Sequence, residues 1–344
     1  MILLLALSLF QSPADLSRQA QQLASQKRFE EAEKLWLRAL EQSPGFFPAL
    51  FNLGFMNYSL ERFERAGGFL ERAAQASPAD FNAHYLLGAT HSRLGRLQDS
   101  LRAWRSAQLL QPDNLRLLQL MIVEYGKGRY FQEAARTARR ALTLDSANLN
   151  LYLLAIKAYQ DAGDYQGGFE VARDALTRFP REPRAHFEYG FHLQKLGRIE
   201  ESLEHLRRAM ELNPGYEEPP FFYGDLLIKQ GKNEESIPYL EAAIRIRNDY
   251  LPARLDLARA FMTLKRWKEA LQVLEESVSL DPKHPQPRLL LSQVYFRLGD
   301  EERAQKEKEI SLRLRRDNPQ LLEAPQSRPF PVATTPQKTP PPQP

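Results

Sequence analysis

The sequence predicts an all-α chain: an α-solenoid of antiparallel helix pairs repeating every 34 residues. Three phased patterns predict it. Prolines end long amphipathic runs at Pro44, Pro78, Pro112, Pro180, Pro214 and Pro282, and every gap between them is one or two periods. The two skipped marks fall on Ser146 and Asn248, both turn formers. Small residues keep the same interval at Ala39, Ala73, Ala107, Ala141, Ala175, Ala209, Ala243, Ser277 and Ser311, and again at Ala32, Ala66, Ser100, Ala134, Gly168, Ser202, Ser236, Ala270 and Ala304. A third set, Gly54, Gly88, Gly190, Gly224 and Ala258, lies inside runs that otherwise read as helix and is interrupted by Ile122 and Ile156. Small side chains at fixed helical positions mark places where two helices cross closely.

The repeats follow in order. The first begins near Asp15. In the third, apolar spacing predicts helices over residues 83–94 and 97–110, with Gly95 between them, where a left-handed residue ends a helix. Gly163, Gly197, Gly231 and Gly299 take the same place in later repeats. Proline closes each second helix because it drives its predecessor out of the α region. In the fourth and fifth repeats Ile122 and Ile156 face Ala138 and Ala172 in phase, which suits an exchange of volume between the two helices. The ninth carries Lys308 at an apolar position in the run RAQKEKEISLRLRR. Such a charged outer face suits a terminal repeat on which nothing stacks.

Composition bounds the chemistry. Of 344 residues, 43% are hydrophobic and 26% charged, enough apolar surface to rule out disorder of the whole chain. With no cysteine, disulfides, thiolate nucleophiles and Cys-ligated metals are excluded. A net charge of +4 does not call for nucleic acid or an anionic membrane, and no window approaches the apolar length of a transmembrane span.

The two ends differ from the body. Residues 1–14 open with MILLLALSLF, about the length of a signal-peptide core, and small residues Ser12 and Ala14 precede a cut after Ala14. Export, to a periplasm, is the expectation; a cytoplasmic chain is the alternative. Residues 15–318 form the repeat body. Residues 319–344 hold nine of the 24 prolines and are expected to be a disordered, partly polyproline II tail.

With these residues in place, the chain resembles the tetratricopeptide repeat family. That family shows an aromatic, Leu-Gly and Tyr in its first helix, then Ala, an aromatic, Ala and Pro. The second repeat has Leu53-Gly54, Ala66, Leu70, Ala73 and Pro78; the third has Leu87-Gly88, Ser100, Trp104, Ala107 and Pro112; the sixth has Tyr189-Gly190, Ser202, Leu206, Ala209 and Pro214; the eighth has Leu257-Ala258, Phe261, Ala270, Leu274 and Pro282. The resemblance covers about residues 13–318, or nine repeats. It implies a right-handed superhelix whose first helices line a concave groove.

Carrying over the family's groove positions implies two aromatic clusters. Phe51, Phe55, Tyr58 and Tyr85 form one, and Phe187, Phe191, Phe221 and Phe222 the other, with Phe222 expected in the core. Arg93, Lys127, Lys157 and Lys195 are expected at the groove edge, orienting an acidic partner. The family's Lys and Asn set for a peptide C-terminus is replaced here by Phe and Ser, so that specificity is not expected. The resemblance thus implies a non-enzymatic scaffold binding a protein or peptide, as in family members that help assemble pili, secretion systems and polysaccharide export machines.

Two rivals stand beside it. An isoelectric point near 9.1 allows a single-stranded RNA reader, but the inward positions are largely apolar where base-reading pairs would be polar; nucleic acid is not expected. An enzyme would need an acid–base or nucleophile constellation, and none is visible. His84 and His91, and His186 and His192, read as singly satisfied histidines rather than metal ligands. No cofactor or metal is expected. Gly126-Lys127-Gly128 lacks the spacing of a phosphate loop.

Overall fold

The computed structural model describes residues 11–317, and among them every regular element is an α-helix. The expected leader core and the proline-rich tail lie outside the described residues. Eighteen helices follow one another: α1 (Pro13–Ser25), α2 (Phe29–Gln42), α3 (Phe47–Ser59), α4 (Phe63–Ala76), α5 (Phe81–Arg93), α6 (Leu97–Leu110), α7 (Leu115–Lys127), α8 (Phe131–Leu144), α9 (Leu149–Asp161), α10 (Tyr165–Arg178), α11 (Pro183–Lys195), α12 (Ile199–Leu212), α13 (Glu218–Lys229), α14 (Asn233–Ile246), α15 (Leu251–Thr263), α16 (Trp267–Leu280), α17 (Pro285–Arg297) and α18 (Glu301–Asp317). They form two compact units, divided between Ala158 and Tyr159 within α9. In the first unit α1 packs on α2, α3 on α4, α5 on α6 and α7 on α8; in the second α11 packs on α12, α13 on α14, α15 on α16 and α17 on α18.

The phased small residues lie where the spacing puts them. Ala39, Ala73, Ala107, Ala141, Ala175, Ala209, Ala243 and Ser277 have no exposed surface, and neither do Ala32, Ala66, Ser100, Ser202, Ser236 and Ala270. Ile122 and Ala138 are both buried on the packed helices α7 and α8, as a volume exchange requires. Proline is not needed for the connection itself. Asp145 and Arg247, ahead of Ser146 and Asn248, take the same extended conformation as Ser43 ahead of Pro44.

The turns between paired helices hold a feature the glycines reveal only in part. Among the described residues nine, one per repeat, have positive φ: Lys27, Glu61, Gly95, Arg129, Gly163, Gly197, Gly231, Lys265 and Gly299. After each, the next amide donates to the carbonyl five residues back at 2.8–3.0 Å, as in Arg96 to His91 and Arg266 to Phe261. This bond satisfies an orphan carbonyl at the helix end and enforces the left-handed residue whether or not it is glycine.

The first helix starts two residues before the expected boundary. Ser12 caps α1 in a reciprocal box with Asp15: the Asp15 amide donates to Ser12 Oγ at 3.2 Å and the Ser12 amide to Asp15 Oδ2 at 3.3 Å. A cut after Ala14 would remove this cap, which is worth about 1 kcal/mol. At the other end α18 is mostly exposed, with Ala304 and Ser311 buried and Glu307, Ile310 and Leu314 half-buried.

Candidate functional site

Curvature within each unit singles out one side. Consecutive first helices touch: α1 with α3 and α3 with α5 in the first unit, and α11 with α13, α13 with α15 and α15 with α17 in the second. Second helices approach one another at most marginally, so the first helices lie on the inner side of each stack. Charge separates the two sides as well. The first helix α3 has no charged residue, whereas the flanking second helices α2 and α4 have six and four.

In the first unit Phe51, Phe55 and Tyr58 are half-buried and pack against the unit's core. Their ring partners are not one another. Phe51 stacks on Phe47 one turn earlier (centroids 5.7 Å), and Tyr58 meets Phe63 edge-on (5.5 Å). Tyr85 repeats the arrangement on α5, stacked on Phe81 (5.6 Å) with the Arg116 guanidinium 6.0 Å from its ring. Arg93 is exposed; it lies 4.6 Å over Phe63 and 3.9 Å from Glu61. Phe47, Phe63, Phe81 and Arg116 thus adjoin these rings; the i,i+4 spacing hints at Phe47 and Phe81 but not at Phe63 or Arg116.

Lys127 does not stand free at an edge. Its ammonium is 2.8 Å from Glu124, a buried carboxylate that also accepts from Ser92 Oγ (2.8 Å) and Ser100 Oγ (3.0 Å). This polar knot ties α5, α6 and α7 together, and Lys127 is the charge that makes burial of Glu124 tolerable. Lys157 is half-buried on α9.

The second unit corrects one assignment. Phe187, expected in the groove, has no exposed surface. Tyr216, from the connection before α13, and Phe222, on α13, meet its ring edge-on (5.3 and 5.6 Å) and cover it. Phe222, expected in the core, is half-buried instead and joins Phe187, Phe191 (5.6 Å) and Phe221 (5.0 Å). Phe221 continues the row to Tyr250 (5.1 Å). A line of rings thus crosses α11 and α13 and reaches the cap of α15. Lys195, exposed at the end of α11, places its ammonium 5.2 Å from Phe191 and 5.6 Å from Tyr165.

Beside this row an open cavity of about 320 Å³ is lined by Gln194, Lys195, Ile199, Leu226, Lys229 and Gln230. Polar bridges between first helices frame it. Gln160 donates to Glu188 (2.9 Å) and Gln194 to Asp225 (3.3 Å), while within α13 Lys229 pairs with the same Asp225 (2.6 Å). The other end of Gln194, its Oε1, is buried without a donor. Burial raises Asp256, further along the same side, above the usual carboxylate range, against the pull of Arg259 2.6 Å away. No group of three or more metal-ligating side chains occurs among the described residues, and no helix there is long and apolar enough to cross a membrane.

Family profiles described as tetratricopeptide repeat match residues 17–81, 183–216, 227–278 and 264–323. No curated protein matches significantly. Among solved structures, pilF of Pseudomonas aeruginosa is similar at 19% identity over 60% of this chain and 92% of that one, with a TM-score of 0.51. A chain of the APC/C hetero-tetramer Cut9–Hcn1 is similar at 14% identity over 85% of this chain and 57% of that one, also with a TM-score of 0.51. MamA of Desulfovibrio magneticus RS-1 is 18% identical over 49% of this chain and 96% of that one, with a TM-score of 0.45. At these identities the likeness is one of fold.

Proposed function

Since the chain belongs to the tetratricopeptide repeat family, we propose that it is a non-enzymatic scaffold holding a segment or face of another protein against its first helices. The observation that carries this reading is α3: a helix without charge, on the inner side of its stack, whose Phe51, Phe55 and Tyr58 remain only half-buried. Partly covered aromatic rings on a curved surface supply large apolar area at little entropic cost, which is what anchors of a protein interface do.

In the second unit Phe191, Phe221 and Phe222 supply the same chemistry. Lys195, held over two rings, offers a cation to an acidic group of the partner. A similar solved chain comes from a hetero-tetramer, Cut9–Hcn1, which fits a role in assembly with other proteins. Export belongs to the same proposal and rests on the apolar Met1–Phe10 run.

The triple substitution Phe51→Ser, Phe55→Ser and Tyr85→Ser tests the reading. Crosslinked partners recovered with the unaltered chain should be lost while helical circular dichroism is retained. Undiminished recovery would remove the first-unit face from the site. Partners that prove to be RNA, with binding that collapses between low and moderate salt, would replace the reading altogether.

A further inference from the structure

One side chain, at the same place in the repeat, ties several first helices to the connection before them. His84 Nε2 meets the Pro78 carbonyl (3.0 Å), His186 Nε2 the Pro180 carbonyl (3.1 Å), Arg254 Nε the Asn248 carbonyl (2.9 Å) and Arg288 Nε the Pro282 carbonyl (3.3 Å). In two of these repeats the residue nineteen positions later, on the second helix, completes the tie. Arg288 donates to Glu307 at 2.7 Å, an opposite-charge pair. Three periods earlier the same two places hold His186 and His205, with Nδ1 to Nδ1 at 3.0 Å and the rings stacked 5.3 Å apart.

We propose that the His186–His205 pair is an acid-released latch between α11 and α12. Its proton count follows from the contacts. The Pro180 carbonyl can only accept, so His186 carries its proton on Nε2 and presents the Nδ1 lone pair. His205 donates its Nδ1–H to that lone pair, and one proton lies between two neutral rings. A first added proton is taken by the free Nε2 of His205 and leaves the bond in place; once both rings are protonated, two N–H groups face each other without an acceptor and two like charges are in contact. Arg288 and Glu307 at the equivalent places suffer no such conflict.

The surroundings give little relief. Arg208 and Glu211 act on His186, and Glu204 and Glu201 on His205; Tyr189 of α11 lies edge-on to His205 (4.8 Å). Glu201 and Glu211 are already bonded to Arg198 and Arg208. Burial holds both rings below the ordinary histidine range, and His186 lowers His205 further. The unfolded rings therefore take up protons first as pH falls. The latch is complete above about pH 6.5 and is lost below it. The two rings titrate as a pair.

Hydrogen exchange of the full chain tests this, with labelling times scaled to the intrinsic rate at each pH. Between pH 7.5 and 5.5, protection of peptides from residues 183–212 should fall several-fold relative to those from residues 251–280, a helix pair without histidine. The double substitution His186→Arg with His205→Glu copies the ninth-repeat pair and should reduce the fall to the share that His192 alone causes. His205→Gln leaves one ring to titrate and should reduce it. His192 is present in all three chains and contributes the same fall to each, so the differences between the chains report the pair. A constant ratio in the unaltered chain overturns the latch. So does a fall that persists undiminished in His205→Gln, a reading that holds even where the double variant does not fold.

Discussion

Trp104 lies across Gly88 so closely that a Cβ on Gly88 would stand 2.3 Å from Trp104 Cδ1 and 2.4 Å from Nε1. The indole cannot swing aside freely, because Nε1 donates to the Tyr85 carbonyl at 3.0 Å. Gly88→Ala should therefore destabilise by about 2–3 kcal/mol and Gly88→Leu by up to about 4 kcal/mol. Gly190 sits at the equivalent place, but its nearest contact would be Ser202 O at 3.3 Å. Gly190→Ala should cost about 1 kcal/mol or less. Thermal unfolding of the three variants checks the order; equal losses at both glycines would mean that the packed ring is not the cause.

Lys265 occupies the left-handed turn position that glycine holds in five other repeats, at φ +59°. An L side chain there costs roughly 1–2 kcal/mol, and part of that is returned by the greater freedom of glycine in the unfolded chain. Lys265→Gly should raise stability by up to about 1 kcal/mol. A melting temperature at or below that of the unaltered chain would contradict this account of the turn.

Phe187 and Phe191 sit one helical turn apart and should answer differently. Fully covered by Tyr216 and Phe222, Phe187 should lose about 3–5 kcal/mol on replacement by Ala. Half-buried Phe191, replaced by Ser, should lose much less stability yet weaken partner binding. Denaturant unfolding and binding measured on the same two variants separate packing from recognition.

His192 has no exposed surface, donates Nδ1–H to the Glu188 carbonyl at 2.8 Å, and buries Nε2 without a partner. Burial lowers its pKa to about 4. The unfolded ring takes its proton near pH 6.5, so the neutral ring's contribution is whole above that value. It is lost as pH falls toward 4, to the extent of about 3 kcal/mol. His192→Leu should flatten stability against pH in that window. A profile of unchanged slope would place the acid sensitivity elsewhere.

Much of this was legible before any coordinates. A side chain that is small at the same helical place in nine repeats can only mark a close crossing, and Ala39 through Ser277 are accordingly without exposed surface. The left-handed turns were legible only at the five glycines. At Lys27, Glu61, Arg129 and Lys265 the turn's own hydrogen bond imposes the conformation, and residue type carries no trace of it. The candidate face was harder to read. Phase put Phe187 and Phe221 at one place in the repeat, yet Tyr216 covers the first while the second remains half-buried.

By itself, then, the sequence determined the period, the helix pairs and the side of each pair that packs, because these depend on residue volume and backbone preference within one repeat. Tertiary structure decided which rings stay accessible, that Lys127 serves a buried carboxylate, and that His186 finds His205. Those outcomes depend on what neighbouring helices lay over a side chain or bring to within about 3 Å of it, and no spacing along the chain records that.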